Sequence, residues 1–227
     1  MKERIVVSFS GGKDCALAMN RLMKGGKWEI DSLLTTVTDD YNRTSMHGVR
    51  EELLEKQADS LGVKLRKVRI PSLCSNEVYQ EKMAEAVSKI VSDGIRYIMF
   101  GDIHLRDVKE YREKMLEGTG LEPIFPIWGE KPEKLIKEYF AEGFHTRLTC
   151  VDSEQLNPKF VGCEIDDKFL EDYPGNADIC GENGEYHTFV FDGPIFSYPI
   201  KHTIGEKRIA NERFYYVDIV NGENGTL

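Results

Sequence analysis

Apolar and polar positions in the first part of the chain follow two alternating periods. Short apolar runs are typical of strands buried in a parallel sheet; they cover residues 5–9, 30–37, 65–70, 97–100 and 123–128. Between them, apolar residues recur with the period of an amphipathic helix; these stretches cover 16–23, 49–61, 78–91 and 132–140, and another helix is predicted to begin near Asp107. This alternation predicts a parallel sheet with helices on both faces.

The pattern changes from about residue 144. Runs at 147–151, 189–191, 196–200 and 214–220 are strand-like and are separated by glycine and proline turns, which predicts a smaller, partly antiparallel unit. We therefore expect three parts: an N-terminal α/β domain at 1–128, a smaller C-terminal α+β domain at 129–220 and a flexible, polar tail at 221–227.

Charge is distributed unevenly along the 227 residues, which carry a net charge of −9. Residues 1–128 contain 20 basic and 20 acidic side chains, whereas residues 129–227 contain 10 and 19. Because such a surface repels a phosphate backbone, nucleic acid is not an expected partner. The acidic excess is either a solubility charge or a site that favours a cation or a metal.

Neither a membrane span nor an export signal is visible in the sequence. No apolar stretch approaches the roughly 18 residues that cross a bilayer, and the N-terminus lacks the apolar segment of a signal peptide. The five cysteines are widely spaced and form no C-x-x-C, which disfavours a disulfide framework or a zinc ribbon. These features predict a cytoplasmic protein without membrane contact, and they leave a homodimer open.

A glycine-rich motif follows the first predicted strand and opens the first helix. It consists of Ser10, Gly11, Gly12, Lys13, Asp14 and Cys15. The free N–H groups and the dipole of a helix N-terminus bind anions, and Lys13 adds a positive charge. A carboxylate such as Asp14 beside a phosphate usually indicates a bridging Mg²⁺. An ordinary glycine-rich turn is the alternative, and Cys15 either packs as a small side chain or has a lowered pKa.

The motif resembles the S-G-G-x-D-[ST] loop of the PP-loop ATP pyrophosphatases, with Cys15 where Ser or Thr is usual. The resemblance implies a five-stranded parallel sheet in the order 3-2-1-4-5, and ATP bound by the motif and split into AMP and pyrophosphate. In that order the chain reverses between strands 1 and 4, and ligands bind at such a point. Gly101 and Asp102 would then face the motif, Thr36 would lie near adenine, and Asp14 and Asp102 would hold Mg²⁺.

A second motif covers residues 180–188, where Glu182 and Glu185 flank a glycine-rich turn. Paired carboxylates on such a loop suit ammonium binding, metal binding or proton transfer, and an ordinary acidic turn is the alternative. The motif is similar to the G-E-x-G-E-[FY]-x-T signature of the diphthine–ammonia ligase family, and residues 97–102 and 121–128 also fit that family. Residues 43–50 and 73–77 look more like bacterial relatives.

This second resemblance implies an ATP-dependent ligase that adenylates a carboxylate and transfers ammonia to it. In the family the acceptor is diphthine on translation elongation factor 2; a bacterial-type member would have another carboxylate, small or protein-borne. The catalytic residues that the resemblance implies are Lys13, Asp14, Glu182 and Glu185. The acceptor-binding residues that it implies are His47, Arg50, Gly184 and Thr188. The alternatives are a PP-loop sulfurtransferase and a nucleotide-binding sensor without turnover.

Overall fold

The computed structural model describes residues 2–44 and 48–222, which form two β-sheets and the helices that cover them. The first part contains β1 (Glu3–Ser8), α1 (Lys13–Lys24), β2 (Trp28–Thr38), β3 (Arg43–Thr44), α2 (Glu51–Leu61), β4 (Lys64–Ile70), α3 (Asn76–Ser92), β5 (Tyr97–Met99), α4 (Arg106–Leu116) and β6 (Glu122–Ile124). The second contains α5 (Pro132–Ala141), β7 (His145–Asp152), a 3₁₀ turn (Pro158–Phe160), α6 (Asp167–Asp172), β8 (Tyr186–Asp192), β9 (His202–Ala210) and β10 (Phe214–Asn221).

In the described chain, five strands of the first sheet are parallel in the order β4-β2-β1-β5-β6. This confirms the predicted 3-2-1-4-5 order. The short β3 pairs antiparallel with the end of β2, which the apolar pattern did not predict. Strand β6 ends before the predicted 123–128 run does, because the chain turns where the Trp128 N–H bonds to the Phe125 carbonyl.

Helices cover both faces of the parallel sheet, as predicted. Along β1, Ile5 and Val7 belong to the apolar cluster that contains α1, α2 and α5, whereas Val6 belongs to the cluster that contains α3 and α4. Successive strand residues point to opposite faces. Since both faces are covered, the central strands β1 and β5 carry uninterrupted apolar runs, whereas the edge strand β4 is interrupted by Arg66, Lys67 and Arg69.

The second sheet is antiparallel throughout its described strands, in the order β8-β7-β10-β9. The prediction of a strand at 196–200 is wrong, because that segment is irregular, although Ile200 is buried. The real strand is β9, which lies at the edge of the sheet, and most of its residues are exposed. An exposed edge strand needs no alternation of apolar and polar residues, so the pattern did not reveal it.

The two sheets share one apolar core. Leu148, Phe189 and Val217 of the second sheet belong to the same cluster as α1 and α2. Asn221, the first residue of the predicted tail, is the last residue of β10, and residues 223–227 lie outside the described chain. Among the helices described here, none combines the length and the apolar character that a membrane crossing requires.

Candidate active site

The glycine-rich motif forms the loop between β1 and α1. Gly11 has a φ of +83°, in the left-handed region that glycine adopts without strain. A Cβ atom at this position would also lie 2.8 Å from Gln57 Oε1. Gly12 is the extended residue that precedes the helix, and the Ser10 hydroxyl accepts a bond of 3.3 Å from its N–H. The sequence therefore places the start of α1 at the carboxyl end of β1, where the helix dipole favours an anion.

The second sheet completes this loop. The Val190 N–H of β8 donates to the Gly11 carbonyl at 2.9 Å, and the Lys13 N–H donates to Thr188 Oγ1 at 3.0 Å. Gln57 of α2 is fully buried, and its Nε2 donates to the carbonyls of Gly11 (3.0 Å) and Val190 (2.6 Å). Contacts with residues far along the chain therefore hold the conformation of the loop, which its own sequence does not determine alone.

Lys13 is almost completely buried, with 2% of its surface exposed. Its ammonium donates to Asp14 Oδ1 at 2.6 Å and lies 5.5 Å from the centre of the Tyr186 ring. Burial lowers the Lys13 pKa, but Asp14, Cys180 and Glu182 outweigh this effect, so the pKa lies above its ordinary value. Lys13 therefore carries a fixed positive charge at the base of the loop.

Cys15 packs as a small buried side chain. Its Sγ donates to the Gly12 carbonyl at 3.0 Å and lies 3.5 Å from Ser10 Oγ. Burial raises the pKa of the Cys15 thiol, in contrast to the lowering that its place in the first helical turn allowed. The packing interpretation is therefore the one that the structure favours.

The segment after β5 faces the loop. Gly101 packs against α1 so closely that a Cβ atom there would lie 2.8 Å from Cys15 N. Asp102 Oδ2 is buried and has no hydrogen-bond partner among the described residues; Arg112 Nε, on α4, is 3.6 Å away. Burial raises the pKa of Asp102, Arg112 opposes this, and Asp14 adds to it. Asp14 and Asp102 are thus close enough to influence each other across the cleft.

The two carboxylates of the second motif have different places. Glu182 Oε1 accepts from the Ile103 N–H at 2.8 Å, which connects the second motif to the segment after β5. Burial raises the pKa of Glu182, the Ile103 N–H opposes this, and Asp14 adds to it. Glu185 is 3% exposed, and its Oε1 accepts from the Asp178 N–H (2.9 Å) and Asn183 Nδ2 (3.1 Å). Glu185 holds the turn together and does not line the cleft.

A cleft of about 790 Å³ lies between the loop, the segment after β5 and the second motif. It is lined by these predicted site residues: Ser10, Lys13, Asp14, Cys15, Thr36, Gly101, Asp102, Glu182, Gly184 and Thr188. Gly11 and Gly12 belong to the loop without lining the cleft. Residues from both parts of the chain, predicted separately, therefore meet around one space at the switch point of the parallel sheet.

The structure does not bring Arg50 to this cleft. Arg50 precedes α2, and its guanidinium donates to both Asp218 oxygens, from Nε at 3.0 Å and from Nη2 at 2.6 Å. Arg43 donates to the same carboxylate at 2.8 Å. Arg43 and Arg50 therefore both bind Asp218 and connect the end of the first sheet to β10. His47 lies outside the described residues.

Two family models match the chain in succession. The diphthamide synthase N-terminal domain matches residues 3–123, and the diphthamide synthase C-terminal domain matches residues 131–222. The chain belongs to the diphthamide synthase family. This confirms the family that the two motifs predicted, while its bacterial type stays a prediction.

Curated relatives of this diphthamide synthase family member are named as ligases. The chain is 25% identical to the diphthine–ammonia ligase of Homo sapiens over 218 residues and 27% identical to that of Rattus norvegicus over 220 residues. Each match covers 85% of this chain and 80% of the relative. A solved structure, a predicted subunit of tRNA methyltransferase from Methanocaldococcus jannaschii, is 19% identical with a TM-score of 0.43, over 64% of this chain and 77% of that one. Such a weak overlap says nothing about activity.

Sequence reasoning missed several cleft residues of this diphthamide synthase family member. They come from α3 and α4, and they include Tyr79, Asp107, Tyr111 and Arg112. Cys180 and Tyr186 also line the cleft; they lie within the second motif, but no role was assigned to them. Sequence reasoning also missed Gln57, which lies beneath the loop. Tyr79, Tyr111 and Arg112 stand alone within amphipathic helices, so no local motif marks them. Only the packing of α3 and α4 beside β5 brings them to the cleft.

Proposed function

We propose that this chain is an ATP-dependent, AMP-forming ligase that adenylates a carboxylate and transfers ammonia to it. The observation that carries the proposal is the shared cleft, in which the phosphate loop and Glu182 lie on neighbouring walls. The curated relatives named diphthine–ammonia ligase support the same reaction class. ATP and ammonium are the proposed substrates, and the acceptor is a carboxylate on a small molecule or a protein.

A carboxylate does not react with ammonia, because its oxygen is a poor leaving group. In the first step an oxygen of the acceptor attacks the α-phosphorus of ATP, an acyl–AMP bond forms, and pyrophosphate leaves. In the second step ammonium first loses a proton to give ammonia, the ammonia nitrogen attacks the acyl carbon, AMP leaves, and the new C–N group loses a second proton to give the amide. We assign the pyrophosphate end to the loop 10–15, where the helix dipole and Lys13 stabilise negative charge. Glu182, whose pKa is raised, would accept one of the released protons.

The cleft fits a divalent cation that travels with the nucleotide. In the described ranges, no group of three or more His, Cys, Asp and Glu side chains is arranged to hold a metal. Mg²⁺ in nucleotide sites is commonly bound by one or two carboxylates together with phosphate oxygens and water. Asp14 and Asp102 would supply those carboxylates; Asp102 Oδ2 accepts no hydrogen bond from the described residues, although Arg112 Nε lies 3.6 Å away. When bound, the ion would neutralise phosphate charge.

The sulfurtransferase alternative requires a reactive thiolate in the cleft. Burial raises the pKa of Cys180 to about 12 and also raises that of Cys15. These two of the three cysteines on the cleft walls, which also include Cys74, are therefore protonated at neutral pH, and protonated thiols are poor nucleophiles. The curated relatives are moreover named ligases. We therefore favour the ligase over the sulfurtransferase.

Product analysis tests the proposal. The protein is incubated with ATP, Mg²⁺, ammonium and elongation factor 2 that carries diphthine, and then with other carboxylates as acceptors. We expect AMP and pyrophosphate in equal amounts. ADP and phosphate as products would contradict adenylation, and tight ATP binding without AMP from any acceptor would favour the sensor.

A charge-neutral substitution in the loop tests the nucleotide site itself. Lys13→Gln is expected to weaken ATP binding at least about tenfold, since a buried charge-assisted contact is lost. Lys24→Gln is the matched control, because Lys24 lies at the exposed end of the same helix and pairs with Glu142. Calorimetric titration with ATP measures both variants. Equal affinity of Lys13→Gln and the wild type would contradict the assignment of the loop.

A further inference from the structure

Cationic side chains are scarce on the cleft walls. Among the Lys and Arg residues that the structure describes, Lys13 and Arg112 line the cleft, together with the acidic residues Asp14, Asp102, Asp107 and Glu182. Lys13 lies in the phosphate loop and already donates to Asp14. For an acceptor carboxylate, which is also negatively charged, the described cleft walls therefore offer one further Lys or Arg side chain, Arg112, which faces Asp102 in an ion pair.

Arg112 reaches the cleft from α4 in a fixed orientation. Its guanidinium lies 5.0 Å from the centre of the Phe100 ring, a stacking contact that suits a planar cation. Its Nε is buried and makes no hydrogen bond to any residue in 2–44 or 48–222. The oxygen that faces it, Asp102 Oδ2, is 3.6 Å away, which is beyond hydrogen-bond distance. The buried donor and the buried acceptor thus face each other as an ion pair, and neither makes a hydrogen bond within the described residues.

The two charges attract each other, but the hydrogen-bonding capacity of Nε and Oδ2 is left unused. Buried polar groups in folded proteins are nearly always hydrogen-bonded, and an exception calls for a ligand, a water or an ion. The Nε side of a guanidinium offers two parallel N–H groups, whose geometry matches the two oxygens of a carboxylate. Arg50, which the sequence favoured for the acceptor, already uses this edge for Asp218.

We propose that Arg112 binds the carboxylate group of the acceptor. The inference rests on the proposed function, because it takes the acceptor to be a carboxylate. Under this proposal the acceptor is recognised by Arg112 on the cleft wall formed by α4, and not by Arg50 in the segment before α2. A carboxylate held by Arg112 lies in the same cleft as the nucleotide phosphates, as adenylation requires.

A spectroscopic titration tests this assignment without turnover. In ¹⁵N-labelled protein, the Nε–H signal of Arg112 is identified by its loss in Arg112→Lys. Acetate is the carboxylate probe, and it is added to protein saturated with α,β-methylene ATP and Mg²⁺, with chloride at equal ionic strength as the control. We expect acetate, and not chloride, to shift the signal until saturation. If acetate leaves the signal unchanged up to high millimolar concentration, the proposal is overturned.

The same titration distinguishes a carboxylate from a phosphate. If Arg112 instead holds a phosphate of the nucleotide, the nucleotide alone will shift the signal and acetate will then have no effect, which overturns the proposal. A failure to form AMP with any acceptor would count against the proposed ligase and would leave this binding result standing. The two ideas therefore fail separately.

Nucleotide affinity provides the second measurement. Arg112→Gln is compared with Lys114→Gln, a matched loss of charge two positions along α4, at an exposed residue outside the cleft. We expect both variants to bind ATP within about twofold of the wild type, and Arg112→Gln alone to lose the acetate response. An ATP affinity reduced more than about tenfold in Arg112→Gln alone, in a variant whose amide spectrum is that of the folded protein, would assign Arg112 to a phosphate.

Discussion

Replacing Gly101 by alanine adds a single methyl group at the contact between β5 and α1. In the structure that Cβ would lie 2.8 Å from Cys15 N, 2.9 Å from Cys15 Cα and 2.9 Å from the carbonyl carbon of Asp14. All three are backbone atoms at the start of α1, so no side-chain rotation relieves the contact. The methyl group therefore has to move the helix away from the strand.

The expected cost follows from this geometry. Inserting a methyl group into a close-packed contact costs about 1–3 kcal/mol. For a chain of this size, each 1 kcal/mol lowers the melting temperature by about 2–4 °C, so Gly101→Ala should melt roughly 2–12 °C lower than the wild type. The displaced helix begins directly after the glycine-rich loop 10–12, which we propose to bind ATP. ATP affinity should therefore also fall about tenfold, which corresponds to about 1.4 kcal/mol.

Thermal unfolding followed by circular dichroism, together with calorimetric titration of ATP, measures both effects. Gly175→Ala is the matched control, since no atom lies within 4 Å of a Cβ at that position. It should unfold and bind as the wild type does. If Gly101→Ala also kept the wild-type melting temperature and ATP affinity, the close packing of α1 on Gly101 would be refuted.

Two further predictions concern the core contacts around the site. Gln57→Leu removes both hydrogen bonds from Nε2 and leaves the Val190 carbonyl without that partner, so it should lower the free energy of unfolding by about 1–3 kcal/mol. Urea unfolding measures this change. An unchanged free energy of unfolding would contradict the described role of Gln57. The Asp152 pKa is lowered from 3.8 to about 2 because Arg213 donates to both of its oxygens, so its stabilising contribution is complete above pH 3.8 and is lost as the pH falls toward about 2. Asp152→Asn should therefore lose stability at neutral pH and show a weaker decline in acid, whereas an unchanged acid decline would show that other carboxylates cause it.

Much of the fold was predictable because parallel strands are buried on both faces. The apolar runs of the central strands β1 and β5 are continuous, and the helical stretches between the strands keep a helical period, so the alternation was visible along the chain. The order of the strands came from the resemblance carried by residues 10–15. Strand β9 was missed because an exposed edge strand buries few side chains. The segment at 196–200 was misread because Phe196 and Ile200 pack on the core from an irregular segment, whereas Tyr198 is exposed.

The candidate site was predictable where its residues are contiguous. Residues 10–15 and 180–188 form motifs, and the structure brings residues of both to one cleft. Arg50 carried the right chemistry for an anion, but its partner Asp218 lies on a strand far along the chain, and no local pattern reveals that pairing. Arg112 and Gln57 were invisible for the same reason, since each acts through residues from other elements.

The sequence by itself determined which segments form strands and helices, and where backbone N–H groups and a lysine can meet an anion. These properties depend on side chains within a few positions of one another. Only the tertiary structure decided that β8 holds the glycine-rich loop, that Glu185 is buried inside its turn and that Arg112 faces Asp102 across the cleft wall. Those outcomes depend on packing between elements distant in the chain, where burial sets which polar groups find partners and which stay available for a ligand.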